Sequence, residues 1–454
     1  MVNLMHKLDT ETGIWKYGLL CLAFLAPFFF LSYGFANQYA AGLASVPVIV
    51  FEWEKYIPLW PWSIVPYWSI DLFYGLSLLL CWNKFELKQH VLRLFSAQII
   101  SISCFLLFPL RFSFERPELT GFFGLWFDVL MGFDKPFNQA PSLHIVLLVI
   151  LWDFFRRHSA GKLKYLVDGW SFLIGLSVLT TWQHHFIDIP TGLLVGALCL
   201  WLFPMSCPAP WAKNIQSRLS LKHFKIGILY LFAALFCSAI AHAKGWWLWL
   251  LYPASSLLLV SFAYLFNRPR FFQKLSHGDM TIAAKMLFAP YLIFAWINSR
   301  IWTYRHPEDS KLIKINQSYI YLGRYPSKQV MQQYDALLDC CAELPTYPKC
   351  SYAQHLSLDL IPLQANQLHN AVESLELFLK SNNNDEAQNI LVFCALGYSR
   401  SSAVVAALLL KQHPEYSVED VLRIIRHNRP WVVLKAPQIK HLNTYRLKLK
   451  GLAP

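Results

Sequence analysis

The stretch Asn389-Ile-Leu-Val-Phe-Cys394-Ala-Leu-Gly397-Tyr-Ser399-Arg400-Ser401-Ser402 brings a thiol, a guanidinium and several hydroxyls close together in the chain. Ile390–Phe393 reads as a short buried strand and Ser401–Lys411 as a helix, so the residues between them form a tight loop. Successive N–H groups of such a loop converge on one point and favour an anion, helped by the helix N-terminus. The same field stabilises a thiolate, which makes Cys394 a competent nucleophile towards phosphorus. Gly397 lets the backbone turn, and the Arg400 fork can hold two phosphate oxygens. Gly397, Ser399 and Arg400 are thus the expected phosphate-binding residues, while the Ser401 hydroxyl can bond the sulfur and ease breakdown of a phosphocysteine. Cys-x5-Arg spacing is weak alone, but of the ten cysteines only Cys394 has it. Its specificity comes from the added Gly and Ser and from the strand-loop-helix setting. The bland reading, a core cysteine near a surface arginine, is the weaker one.

A second constellation lies earlier. One loop reads Phe-Pro-Leu-Arg111-Phe-Ser-Phe-Glu-Arg116-Pro117; an apolar segment opens with Pro141-Ser142-Leu143-His144; a turn reads Trp-Gln183-His184-His185-Phe-Ile-Asp188. His184 and Asp188 are four apart, so on a helical turn the carboxylate can fix the imidazole tautomer and raise its basicity. An imidazole so activated can attack phosphorus, and His144 can protonate the leaving oxygen. Arg111, Arg116 and Ser142 are the expected phosphate ligands. Each histidine alone is better explained as an interfacial helix cap; three motifs in order on one side favour chemistry.

These residues need two kinds of scaffold. The chain has 454 residues, 56% hydrophobic and 15% charged, with 18 Trp and 34 Phe, a balance that points to lipid as part of the solvent. Eight segments are apolar enough to cross a bilayer, at roughly 17–36, 66–82, 91–110, 143–155, 165–182, 190–204, 226–243 and 246–266. Cations such as Lys84, Lys88, Arg156, Arg157, Lys162, Arg268, Arg270 and Lys274 fall in loops on one side. Few fall on the other (Lys55, Arg111, Arg116, Lys135, Lys244), which places the N-terminus inside. That distribution explains the net charge of +13 without nucleic acid. A ninth stretch, Met286–Asn298, is short, contains Pro290 and is expected to be interfacial or re-entrant, leaving the C-terminal part in the cytoplasm.

After about residue 300 the texture is that of a soluble domain. Ile315–Leu322 reads as a strand ending at Gly323, Val330–Leu338 as a helix, and Leu368, Val372, Leu375 and Leu379 as one face of another. Ser417 and Asp420 form a capping box before Val421–Arg426. The expected fold is therefore two-domain: a polytopic helical membrane bundle of about eight spans over 1–300, then a small α/β domain over 310–454. Cys340, Cys341 and Cys350 fit no common zinc spacing, so no metal and no cofactor are expected.

Two resemblances follow from these motifs. Arg116-Pro117, Pro141-Ser142, His144, and Ser177, His184 and Asp188 resemble the pattern of the type-2 phosphatidic acid phosphatase superfamily, over about residues 65–205. Pro109, Leu143 and Val178 stand where that pattern has Lys, Gly and Arg. The set looks more like the branch with sphingomyelin and inositol-phosphorylceramide synthases. This implies a lipid phosphate ester handled on the outer face.

The Cys394 loop resembles that of the dual-specificity (tyrosine-phosphatase-like) phosphatases over about residues 310–450, with Phe393 in place of the family's His. That resemblance implies an upstream acid, and Asp359, 35 positions before Cys394, fits. The positions between Cys394 and Arg400 carry no Lys or Arg, which favours a phosphomonoester of modest charge, on a lipid or a protein. The whole implies a two-site enzyme of phospholipid metabolism in a bacterial inner membrane, with membrane lipids as partners. Two other readings stay open: a head-group phosphotransferase with a product-processing or weakly active phosphatase domain, and a non-catalytic regulatory protein.

Overall fold

The structure is a computed structural model that describes residues 10–212, 219–380 and 387–451. The chain divides into two compact units, Met1–Ala209 and Pro210–Pro454.

The first unit is helical: α1 (Ile14–Ala41), α2 (Ile64–Leu79), α3 (Lys84–Leu107), α4 (Gly121–Phe133), α5 (Leu143–His158), α6 (Leu163–Thr180) and α7 (Asp188–Leu202). Their residues are mostly apolar, with charged ones such as Arg93, Asp153 and Arg157 paired, and side-chain caps mark some starts: Asn83 Oδ1 accepts from Glu86 N–H at 2.9 Å ahead of α3. Helices α5 and α7 approach closely because α7 carries Gly192 and Gly196, where a Cβ would lie 2.7 Å from Ile145 and 2.6 Å from Val149.

Among the described residues, six helices are long and apolar enough to cross a membrane. They are α1, α3, α6, and three of the second unit: α8 (Leu221–Ala241), the run Gly245–Leu265 ending in α9 (Leu251–Leu265), and α10 (Ile282–Trp302). Three segments expected to span, now α2, α5 and α7, form helices of 16, 16 and 15 residues. At 1.5 Å per residue these measure about 24 Å, short of a straight hydrocarbon crossing.

Helix α10 differs from expectation in the other direction: it has 21 residues, not the 13 or so of the apolar stretch, and Pro290 lies inside it. The expected interfacial stretch is thus one of the helices long and apolar enough to cross a membrane. The helix packs on α9 and the 269–272 turn and touches the α/β part at separate points. Lys285 Nζ stands 5.5 Å from the Tyr347 ring, Ala295 packs beside Tyr325 and Phe393, and Ser299 Oγ donates to Ala395 O at 2.5 Å. Trp302 O accepts from the Tyr398 hydroxyl at 2.9 Å. The opposite face (Ile293, Phe294, Ile297, Ile301) is apolar and exposed.

The α/β part holds a five-stranded sheet in the order β1-β2-β5-β3-β4. The strands are β1 (Ser310–Ile315), β2 (Ser318–Gly323), β3 (Ala336–Asp339), β4 (Ser351–Gln354) and β5 (Gln388–Phe393); only the β1–β2 pair is antiparallel. The helices are α11 (Ala365–Lys380), α12 (Arg400–Gln412), α13 (Val418–Asn428) and α14 (Ala436–Leu449). Period-two alternation sorts the strands between two cores. Ile320, Leu322, Leu338, Ile390 and Val392 face the cluster built with α11 and α12, while Leu337, Leu391 and Phe393 face Tyr325 and Ala295.

The expected helix over Val330–Leu338 is corrected. Only Lys328–Met331 is helical, and Ala336–Asp339 is the buried strand β3. A strand covered on both faces is apolar throughout, so its residues mimic helical spacing. The expected strand Ile315–Leu322 is in fact the end of β1, a tight turn at Asn316 (φ 52°) and β2.

A change of composition suggests a boundary near 300–310, whereas contacts divide the chain at 209/210. The cause is visible at Lys274, expected as an ordinary loop cation. It is fully buried, pairing with Asp339 Oδ2 at 2.5 Å and donating to Cys341 O at 2.8 Å. Thr346 and Tyr352 hydroxyls complete the same carboxylate at 2.6 and 2.9 Å.

Candidate active site

Strand β5 occupies the middle of the sheet and ends at Phe393, so Cys394 begins the loop at its carboxyl end and Arg400 opens α12. The thiol is buried, with Gly397 N–H donating to Sγ at 3.3 Å and the Ser401 hydroxyl at 3.3 Å. Burial pushes the thiol up, but the Arg400 charge and the bonds from Ser401 and Gly397 outweigh it and hold it below the ordinary cysteine value. The loop turns at Gly397 with φ +71°, where a Cβ would meet Gly323 O at 2.4 Å and Arg324 N at 2.8 Å. Gly397→Ala is therefore expected to distort the loop and lower turnover by about tenfold or more, since a misplacement near 1 Å can cost that much. The kcat for an aryl phosphate measures it, and an unchanged rate would show that the loop tolerates the shift.

Arg400 is buried and its fork is fully directed. One side meets Glu343 in a bidentate pair at 2.5 and 3.0 Å; Nη2 also meets Asp359 Oδ1 at 3.0 Å, and Nη1 donates to Ser357 O at 2.8 Å. Burial opposes its charge, but Glu343 and Asp359 hold the proton well above the ordinary arginine value. Asp359, the expected upstream acid, thus lies against Arg400 at the start of α12. The next residue, Leu360, has φ +61°, a left-handed conformation costing a leucine roughly 1–2 kcal/mol.

Residues 320–448 match the family model described as dual specificity phosphatase, catalytic domain. This part of the chain is a dual specificity phosphatase catalytic domain. Such a domain is a phosphoric monoester hydrolase. Solved structures similar to it include PTPMT1 in complex with PI(5)P, 17% identical, covering 31% of this chain and 96% of that one at a TM-score of 0.25. Tk-PTP in its active form is 19% identical over 31% of this chain and 97% of its own, with a TM-score of 0.27. Human DUSP28 is 18% identical over 32% and 96%, with a TM-score of 0.26. No curated protein matches the chain.

Three sets of contacts in the phosphatase domain's site are not readable from the sequence, although Arg429-Pro430 itself resembles the family's pattern. Glu343 lies far from the loop in sequence, and no local pattern marks it as the partner of Arg400. Arg429 is fully buried and bonds Gly397 O at 3.1 Å, Leu322 O at 3.1 Å and Glu308 O at 3.0 Å, so it staples the turn to β2. Ser399, expected to bind phosphate, has its hydroxyl oxygen accepting from Gln438 Nε2 at 2.5 Å. Among the described residues no group of three or more His, Cys, Asp or Glu is placed to hold a metal ion.

In the first unit the second constellation is partly assembled. His184 Nδ1 meets Asp188 Oδ2 at 3.1 Å, and the His144 and His184 ring centroids are 6.5 Å apart. The His144 ring stacks on Tyr67 at 3.9 Å. Arg116 Nη2 donates to Trp182 O at 2.9 Å, one residue from the Gln183-His184 turn. The Ser142 hydroxyl caps α5, accepting from Ile145 N at 3.4 Å. Arg111 is exposed, and its backbone N–H donates to Pro47 O at 3.1 Å. His185, assigned no role, pairs with Glu54 at 2.9 Å and fixes the turn to a distant segment. Buried polar atoms without a hydrogen-bond partner gather here: His144 Nε2, Gln183 Nε2, Arg116 Nε and Asp188 Oδ1. Such atoms are costly unless a ligand or water meets them.

Proposed function

We propose that the chain is a membrane-bound phosphomonoesterase that works through a phosphocysteine at Cys394, with a second, histidine-dependent lipid-phosphate site in its first unit. The observation that carries the first part is the buried Cys394 sulfur, which accepts from Gly397 N–H and the Ser401 hydroxyl and whose thiol Arg400 helps hold below the ordinary cysteine value. Cys394 Sγ attacks phosphorus while the bond to the leaving oxygen breaks, and Asp359 gives that oxygen its proton. Asp359, now a carboxylate, takes a proton from water as the water attacks the phosphocysteine. The S–P bond breaks, inorganic phosphate leaves, and Ser401 stabilises the returning thiolate.

A lipid phosphate is the favoured substrate. Helix α10 touches the catalytic loop through Ser299 and presents an apolar face on its other side, as an interfacial helix does. The contacts of Lys285, Ser299 and Trp302 with the α/β part tie both ends of the helix to the phosphatase domain. This supports an interfacial α10 and, with the loop charges, a phosphatase domain on the cytoplasmic face of a bacterial inner membrane.

For the first unit, the pairing of His184 with Asp188, the nearby His144 and the unpartnered polar atoms support a phosphate-handling site. The absence of the family's further cations at Pro109 and Val178 favours head-group transfer to an alcohol over simple hydrolysis. The full chain in detergent tests both parts with short-chain phosphatidate and phospholipid donors. In a Cys394→Ser background, residual lipid turnover is expected, and adding His184→Ala is expected to lower it about a hundredfold or more, the usual effect of losing an acid–base or nucleophilic group. Residual turnover that survives His184→Ala would refute the second site.

A further inference from the structure

The loop that carries Asp359 is held from outside the sheet domain. Tyr264, at the end of α9, donates its hydroxyl hydrogen to Asp359 O at 3.2 Å. Lys222, at the start of α8, donates from Nζ to Leu360 O, the residue in the left-handed conformation. A backbone so strained persists only where its surroundings impose it, and these two bonds arrive on consecutive carbonyls at that point. The Tyr264 hydroxyl is itself fixed: the residue is buried, its ring lies 5.5 Å from Tyr230 of α8, and Tyr230 lies 5.8 Å from Tyr291 of α10. Behind the loop, His223 and Pro269 share the lining of a cavity of about 20 Å³ with Leu358, Ile361 and Pro362.

We propose that Tyr264 and Lys222 are positioning residues for the general acid: the apolar α8–α9 hairpin sets the aim of Asp359 towards the leaving oxygen. The inference rests on reading Asp359 as the proton donor. Neither side chain meets the substrate, and neither is needed for the thiolate to form. Their loss moves the carboxyl group relative to Cys394 and leaves the nucleophile in place. The defect therefore grows with the basicity of the leaving group, because a poor leaving group depends most on receiving its proton.

The test compares phenyl phosphate, whose phenolate leaves poorly, with difluoromethylumbelliferyl phosphate, whose leaving group needs little protonation. The full chain is assayed in lipid nanodiscs. Tyr264→Phe and Lys222→Met are each expected to lower kcat on phenyl phosphate about tenfold, and to lower it at least about threefold less on the coumarin ester. Lys222→Arg, which keeps a donor, is expected to restore most of the loss. Lys222 is partly exposed, so its variants keep the test decisive even where Tyr264→Phe fails to fold. Equal losses on both esters, or none on either, would overturn the proposal. Asp359→Asn separates the two layers: if it shows the leaving-group dependence and the hairpin variants do not, only the positioning role falls. If Asp359→Asn shows none, Asp359 is not the acid and the positioning role falls with it.

Discussion

Replacing Cys394 by serine is expected to cut phosphomonoester turnover by about 10³-fold or more, over 4 kcal/mol of barrier. The reason lies in what surrounds the sulfur. Gly397 N–H and the Ser401 hydroxyl both donate to it, and Arg400 supplies positive charge; none is a base that could take a proton from a serine hydroxyl. The site stabilises an anion that cysteine forms readily and serine does not. Hydrolysis of p-nitrophenyl phosphate by the purified full chain measures the effect. Iodoacetate labelling adds a second readout: Cys394 is expected to alkylate in mildly acidic buffer, faster than the other described cysteines. A serine variant within tenfold of the parent rate would place the phosphatase chemistry elsewhere.

Arg400→Met is expected to cost about 10²- to 10³-fold in kcat/KM, combining lost phosphate contacts with a less available thiolate. Its pH signature follows from sign. In the parent, the cation offsets burial and the thiol titrates below its ordinary value, so activity is retained as pH falls. Without the guanidinium, burial acts unopposed, the thiol titrates higher, and the acidic limb of the rate profile moves to higher pH. A limb that stays in place would mean that the loop N–H groups and Ser401 alone set the ionisation.

The same substitution strands Glu343, whose side chain is 3% exposed. An uncompensated buried carboxylate costs about 3–5 kcal/mol, so Tm should fall as well. Adding Glu343→Gln is expected to recover stability without recovering rate, which separates the structural half of the pair from the catalytic half.

The catalytic loop was legible because its chemistry is local. A strand, a glycine at a forced turn and a hydroxyl-rich helix start are consecutive in the chain, and the structure places Cys394, Gly397, Arg400 and Ser401 in one buried group. Helix α11 was equally legible, its Leu368–Val372–Leu375 spacing matching the buried face. The capping box at Ser417 and Asp420 opens α13 as read. What stayed hidden depends on long-range contacts. Glu343 and Arg429 gain their partners from segments far away in sequence, and Lys274 reads as a topological charge until Asp339 is set against it. Strand β3 was misread because burial on both faces removes the polar half of its alternation.

The buried Lys274–Asp339 pair also bears on how such proteins can be cut and recombined. A catalytic piece begun near residue 310, where the soluble texture starts, would take Asp339 without its cation, the sheet without Ala295, and the Ala395 carbonyl without Ser299. It would emerge with a buried charge unneutralised and an apolar face uncovered. A cut where the texture changes would therefore pass through these contacts. A cut made upstream, at 209/210, would carry Lys274, Ala295 and Ser299 along with the sheet they complete.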